Sequence, residues 1–128
     1  NSFHARRTAE RSGFEDGIML DREGRIAEAS AANFFAICEG ELWTPPLNPD
    51  VFPGLTRRVV MDIAVELGIE CKETDIRCED VARMQGAFLC STLMEIRAIS
   101  KIDQKFLHTQ QLQTYNAVLR AFRNRTHQ

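Results

Sequence analysis

Val51-Phe52-Pro53-Gly54-Leu55-Thr56-Arg57-Arg58 is the stretch on which the reading of this chain turns. Pro53 and Gly54 stop one pattern, and a helical one starts at once. Apolar residues at Leu55, Val59, Val60, Ile63, Ala64 and Leu67 recur at the period of one helix face. The spacing predicts a helix from about 55 to 67, stopped by Gly68. Gly54 then stands at the helix entrance, where unbonded backbone N–H groups and the positive dipole end favour an anion. Having no side chain, Gly54 lets a phosphate approach the backbone closely. Thr56 can add a hydroxyl donor, and Arg57 and Arg58 add charge nearby. On these residues alone a plain helix start after a turn is the commoner explanation. Helix entrances far outnumber bound phosphates.

Composition bounds the class. At 128 residues the chain suits one domain, 1–128, long enough to bury a real core. A hydrophobic share of 44% and a charged share of 27%, with seven Gly and four Pro, are ordinary for a soluble protein. The net charge of −2, with both signs interspersed, gives no electrostatic footprint for nucleic acid or an anionic membrane. No apolar run approaches the length of a spanning helix, and no charged-then-apolar leader opens the chain. Cys38, Cys71, Cys78 and Cys90 form no Cys-x-x-Cys, and His4, His108 and His127 lie toward the chain ends. No metal site is expected from that spacing, and reduced thiols in a cytoplasmic protein are the simplest account. The chain begins with Asn1, which reads as a cut start.

Taken in order, residues 2–12 read as a helix stopped by Gly13. Ile18-Met19-Leu20, the turn Asp21-Arg22-Glu23-Gly24 and Arg25-Ile26-Ala27-Glu28 read as a hairpin. Asn33 to Cys38 is a further strand, Glu39-Gly40 a turn, and Glu41-Leu42-Trp43-Thr44 its return. Strands so closely spaced predict an antiparallel meander. Pro45 and Pro46 then open a loop of turn formers through Asn48-Pro49-Asp50. On the polar face of the helix that follows, Arg58 and Asp62 are placed to pair. Residues 69–73 alternate like a strand, 80–84 read as a short helix begun from 77–79, and 86–90 as a buried strand. Ser91-Thr92 interrupts it, 95–99 extends again, and 111–123 is a helix with Leu112, Tyr115, Leu119 and Phe122 on one face. The basic tail beyond it should fray. No internal repeat, low-complexity tract or second-domain linker is present.

Besides the helix entrance, two features bear on chemistry. Glu28 sits in Ile26-Ala27-Glu28-Ala29-Ser30, among small apolar residues, where a carboxylate is costly unless it meets a cationic or protonated partner. An edge-strand glutamate facing water is the favoured alternative there. Ser91-Thr92 puts two hydroxyls straight after Ala87-Phe88-Leu89-Cys90, a placement suited to an oxygen-rich ligand. A simple strand-to-loop transition explains it equally well.

Read in order, these features resemble the class IV aminotransferases, the fold-type IV pyridoxal-phosphate enzymes that include branched-chain and D-amino acid aminotransferases and aminodeoxychorismate lyase. The resemblance is carried by Glu28-Ala29-Ser30-Ala31-Ala32-Asn33-Phe34-Phe35, Leu42-Trp43-Thr44-Pro45 and Phe52-Pro53-Gly54-Leu55-Thr56-Arg57. It continues through Phe88-Leu89-Cys90-Ser91-Thr92 and Ile96-Arg97-Ala98-Ile99-Ser100-Lys101-Ile102-Asp103. Their order and intervals match the family's large C-terminal domain over nearly the whole chain.

That resemblance implies a mixed α and β fold, a meander and further strands curled into a pseudo-barrel with helices around it. It implies pyridoxal 5'-phosphate as cofactor, with Glu28 against the pyridine nitrogen. Gly54, Leu55 and Thr56 would lie at the phosphate, joined by Thr92 with Ser91 beside it, and Phe52 would pack on the ring. Thr92 and Leu93 would meet the substrate carboxylate through the main chain. It further implies transfer of an amino group between an amino acid and a 2-oxo acid, in a homodimer.

The family's cofactor-linked lysine would fall just upstream of Asn1, because Lys72, Lys101 and Lys105 stand in the wrong segments and no lysine precedes them. The chain is therefore expected to be a C-terminal domain without its N-terminal partner domain, to contain no catalytic lysine, and to show no transaminase activity alone. Leu93-Met94 leans toward the lyase, which eliminates pyruvate with the same cofactor. A non-catalytic, lysine-free binding module is the remaining alternative.

Overall fold

In a computed structural model of the chain, residues 19–20, 26–27, 33–46, 54–91, 95–102 and 104–126 are described. Two short strands come first, β1 (Met19–Leu20) and β2 (Ile26–Ala27), paired antiparallel as the hairpin reading requires. A five-stranded sheet follows, built from β3 (Asn33–Cys38), β4 (Glu41–Thr44), β5 (Cys71–Glu73), β6 (Gly86–Ser91) and β7 (Glu95–Ile99). Its order is β5-β4-β3-β6-β7. Helix α1 (Leu55–Leu67) connects β4 to β5, and helix α2 (Gln113–Thr126) ends the described chain. A small pair, β8 (Lys101–Ile102) and β9 (Lys105–Phe106), precedes a 3-10 turn at Thr109–Gln111.

The meander expectation is corrected beyond its local pairs. β3 takes β4 and β6 as its antiparallel neighbours, while β1 and β2 form a separate ribbon. β5 joins β4 in parallel, which a crossover through α1 allows and a chain of hairpins does not. The turn at Glu39-Gly40 has φ of 53° and 82°, the left-handed pair whose twist suits a two-residue hairpin.

β3 and β6 read as unbroken apolar runs because both of their faces are covered. On one face Phe34, Ala36, Leu89 and Ala87 meet Ile76, Met84, Ile99 and Ile102. On the other, Phe35, Ile37, Phe88 and Cys90 meet Val60, Ile63 and Ala64 of α1 and Tyr115, Val118 and Phe122 of α2. Phe35 stacks on Phe88 at 5.2 Å between ring centroids, and Tyr115 tilts against Phe88 at 5.7 Å.

Some element boundaries moved. Ser91 belongs to β6 and does not interrupt it. α2 continues to Thr126, beyond the expected end at 123, with Arg123 and Arg125 in its last turn favouring the negative end of the dipole. The short helix is a 3-10 segment, Cys78–Arg83, whose final carbonyls, Val81 and Ala82, accept from Lys105 Nζ at 3.0 and 2.9 Å. No Arg58–Asp62 ion pair occurs among the described residues; both side chains face solvent. The helix expected at 2–12 lies outside the described residues. No described helix is long and apolar enough to cross a membrane.

One buried hydroxyl ties three elements together. Thr109 Oγ1 donates to the Ile99 carbonyl at 2.7 Å and accepts from the Ala87 N–H at 3.0 Å. The turn lies so close to the strand that a Cβ on Gly86 would stand 2.6 Å from Leu112 Cδ1 and 3.2 Å from Thr109 Cα. Thr109→Val keeps the shape and removes both bonds. It is expected to cost about 1–3 kcal/mol, because a buried donor and acceptor lose their partner. A urea titration checks this as a lower midpoint at unchanged slope.

Candidate functional site

Strand directions decide what comes together. β4 and β6 both run antiparallel to β3, so they point the same way and finish at the same rim of the sheet. That rim carries Asn33 at the start of β3, Thr44 and Pro45 at the end of β4, Glu73 at the end of β5, and Ser91 at the end of β6. Asn33 and Thr44 are both fully buried, and Thr44 Oγ1 donates to the Phe34 carbonyl at 2.7 Å.

The entrance of α1 is fixed to this rim by a side chain from its own first turn. Arg57 Nη2 donates to the Pro45 carbonyl at 3.0 Å and to Glu73 Oε2 at 3.1 Å. Gly54 precedes the helix in extended conformation, with φ −72° and ψ 151°, and no side chain caps the N-terminus. No acidic residue occupies the first turn. The free N–H groups and positive dipole end of α1 therefore meet no protein carboxylate from the helix itself.

The inward face of that first turn differs from the one periodicity suggested. Leu55 is 81% exposed, while Thr56 and Arg57 are 8% and 5% exposed. Leu55 thus faces solvent, and Thr56 turns inward beside it. Glu28, Phe52, Thr92 and Leu93 lie outside the described residues. Of the expected site, the described residues are Gly54, Leu55 and Thr56 at the α1 entrance, which Arg57 ties to the ends of β4 and β5, and Ser91 at the end of β6, two strands from β4. Sequence reading treated Arg57 only as nearby charge and missed its anchoring role. The one available signal was a cation at a position that the helix must bury once Leu55 faces out.

A phosphate fits what is present. An uncapped helix entrance without an acidic neighbour suits several anionic oxygens. Arg57 Nε is buried and has no hydrogen-bond partner among the described residues. The helix entrance presents donors, and a carboxylate on this rim, Glu73, is engaged by Arg57 Nη2. A cavity of about 820 Å³ lies elsewhere, along β7 between Arg97, His108, Tyr115 and Arg123, and holds none of the site residues.

Cys38 lies away from this rim. Cys38, at the opposite end of β3, is 4% exposed, and burial pushes its thiol up from 9.0 to about 11, with Arg83 partly offsetting. It stays protonated at neutral pH and packs as a small apolar group. Because the folded value lies above the unfolded one, its contribution to stability is complete below about pH 9. That contribution is lost as pH rises toward 11. Burial shifts Cys71 and Tyr115 upward as well, so they act in the same direction. Denaturation midpoints should fall from pH 9 to 11, and less steeply in Cys38→Ala than in wild type.

Residues 1–102 match the amino-transferase class IV family, and the chain belongs to it. Over 95 residues, 74% of its length, the chain is 36% identical to a branched-chain-amino-acid aminotransferase of Escherichia coli K12, of which it covers 31%. The structure is similar to a branched-chain aminotransferase from Thermoproteus uzoniensis solved with norvaline. The TM-score is 0.82 at 34% identity, covering 94% of this chain and 40% of that one. An aminotransferase from Brucella abortus bound to the co-factor PLP gives 0.78 at 28% identity, over 94% of this chain and 42% of that one. The mixed α and β fold expected from the sequence is the fold of these proteins. The chain spans about a third of the length of the curated relatives it matches.

Proposed function

We propose that this chain is the cofactor-gripping domain of a pyridoxal-phosphate-dependent aminotransferase. The enzyme would move an amino group between an amino acid, branched-chain-like or of D configuration, and a 2-oxo acid. The observation that carries this reading is the uncapped entrance of α1, with no acid in its first turn, anchored to the ends of β4 and β5 by Arg57. Membership of the class IV family and a PLP-bound neighbour support it.

In this reading the Leu55 and Thr56 amides and the Thr56 hydroxyl would hold the phosphate, with Gly54 leaving the approach open. Thr92 would add a further phosphate contact, with Ser91 beside it. Glu28 would hold the pyridine nitrogen and keep it protonated. Phe52 would pack on the ring, and the Thr92-Leu93 main chain would meet the substrate carboxylate. The cofactor, when bound, supplies the electron sink that stabilises charge developing at the substrate α-carbon. The residues named here bind, orient and charge that group. The lysine that carries it comes from chain outside 1–128, in a cytoplasmic homodimer.

The test is a titration of the natural full-length protein with pyridoxal phosphate, followed by turnover of amino donors with 2-oxoglutarate. Saturable binding with transfer to the oxo acid is expected. Pyruvate release without transfer would favour the lyase, and absence of saturable binding would overturn the reading.

A further inference from the structure

Thr56 and Arg57 are the polar residues of α1 that the fold buries, and Arg57 is the more enclosed, at 5% exposure. Its side chain leaves the helix tip and runs back to the sheet. One nitrogen reaches acceptors on two segments: the Pro45 carbonyl after β4 and the Glu73 carboxylate at the end of β5. Those two strands are the parallel pair joined through α1 itself. The guanidinium therefore closes a loop whose ends are the strand before the helix and the strand after it. Glu73 keeps its side chain 45% exposed, so this pair is not a sealed core contact. The buried Nε has no partner among the described residues, leaving donor capacity directly behind the helix tip.

Resting on the reading given under Proposed function, we propose that Arg57 is a positioning residue for phosphate recognition. It sets the first turn of α1 against the rim so that the Leu55 and Thr56 amides face one anion. It does so without being the group that holds the ring. Nη2 alone meets both strands and Nε remains as a further buried donor; a lysine ammonium carries the charge but has no second nitrogen on its stem.

The proposal separates from a purely structural role by what it does to ligand preference. In the natural full-length protein, the dissociation constants of pyridoxal phosphate and of pyridoxal, which lacks the phosphate, are measured for wild type, R57K and R57M. Melting of each apo protein is followed alongside. R57K is expected to weaken pyridoxal phosphate by about 10–100-fold, the range seen when supporting contacts of metal ligands are removed. Pyridoxal should change by less than about threefold under the same reasoning, since it makes no demand on the helix tip. R57M should follow with a larger loss, and inorganic phosphate should compete less well in both.

A structural arginine would instead weaken both ligands together and lower the apo melting temperature in proportion. Should R57M fail to fold, R57K and E73Q carry the comparison. A wild type that prefers pyridoxal phosphate, with the preference intact in R57K and E73Q, overturns the role of Arg57 alone. A wild type with no preference between the two ligands overturns the phosphate cup, and this role with it.

Discussion

Gly54→Asp is expected to stabilise α1 and at the same time to abolish binding of pyridoxal phosphate. Gly54 has ordinary extended dihedrals, so aspartate fits its backbone without strain. No side chain caps the helix and its first turn carries no acid. An aspartate there accepts from a free N–H and faces the positive dipole end. The gain is about 0.3–1 kcal/mol of folding stability. The same carboxylate would occupy the place proposed for the phosphate and repel it. A loss of about 100-fold or more in affinity follows, roughly 3 kcal/mol. Apo melting temperature and ligand dissociation constant should therefore move in opposite senses. Gly54→Ala distinguishes bulk from charge: it adds a methyl group without an anion and should lose less. Unchanged affinity in Gly54→Asp would remove the helix entrance from the site.

Phe88→Ala attacks the fold itself. Phe88 lies on β6, is fully buried, and contacts Phe35 on the neighbouring strand and Tyr115 on α2. Removing its ring deletes buried apolar surface and leaves a cavity flanked by two aromatic rings. The expected cost is about 3–5 kcal/mol. A whole domain has only about 5–15 kcal/mol to lose, so the variant should be close to unfolding at 37 °C. Since Tyr115 loses its neighbour, α2 should loosen first, and its amides should exchange faster than those of β3 and β6. Val65→Ala, on the outer face of α1 at 78% exposure, is the matched control. It should stay within about 0.5 kcal/mol of wild type. A Phe88→Ala protein as stable as that control would contradict the packing described above.

Local order was readable wherever a side-chain period or a turn residue decided it. The helix bounds 55 and 67, the Gly68 stop with φ of 73°, and the strand at 95–99 all follow from such signals. Pairing beyond the local hairpins β1–β2 and β3–β4 was not readable, because β3 and β6 are apolar on both faces and carry no alternation to set a neighbour. The parallel entry of β5 depends on where α1 returns the chain, which no short window contains. β8 and β9, two residues each, are too short to show a period.

The first turn of α1 misled for a different reason. Polarity ranks Leu55 above Thr56 and Arg57 for burial, but a guanidinium with acceptors on two strands can be enclosed, and the leucine then rotates outward. Of the site, the helix tip could be argued from dipole and glycine alone. Glu28 and Thr92 stood out by their neighbours, but their roles, like Phe52 and Leu93 altogether, came from family resemblance, and all four lie outside the described residues.

The hairpin at Glu39-Gly40 closes the sheet at the margin farthest from the α1 tip. Both residues are exposed there, and the strands between the two margins are rigidly packed. A fluorophore or affinity handle grafted into that hairpin would sit a strand length away from the α1 tip. Occupancy of a site at that tip could then be watched on a surface or in a mixture without the label crowding it.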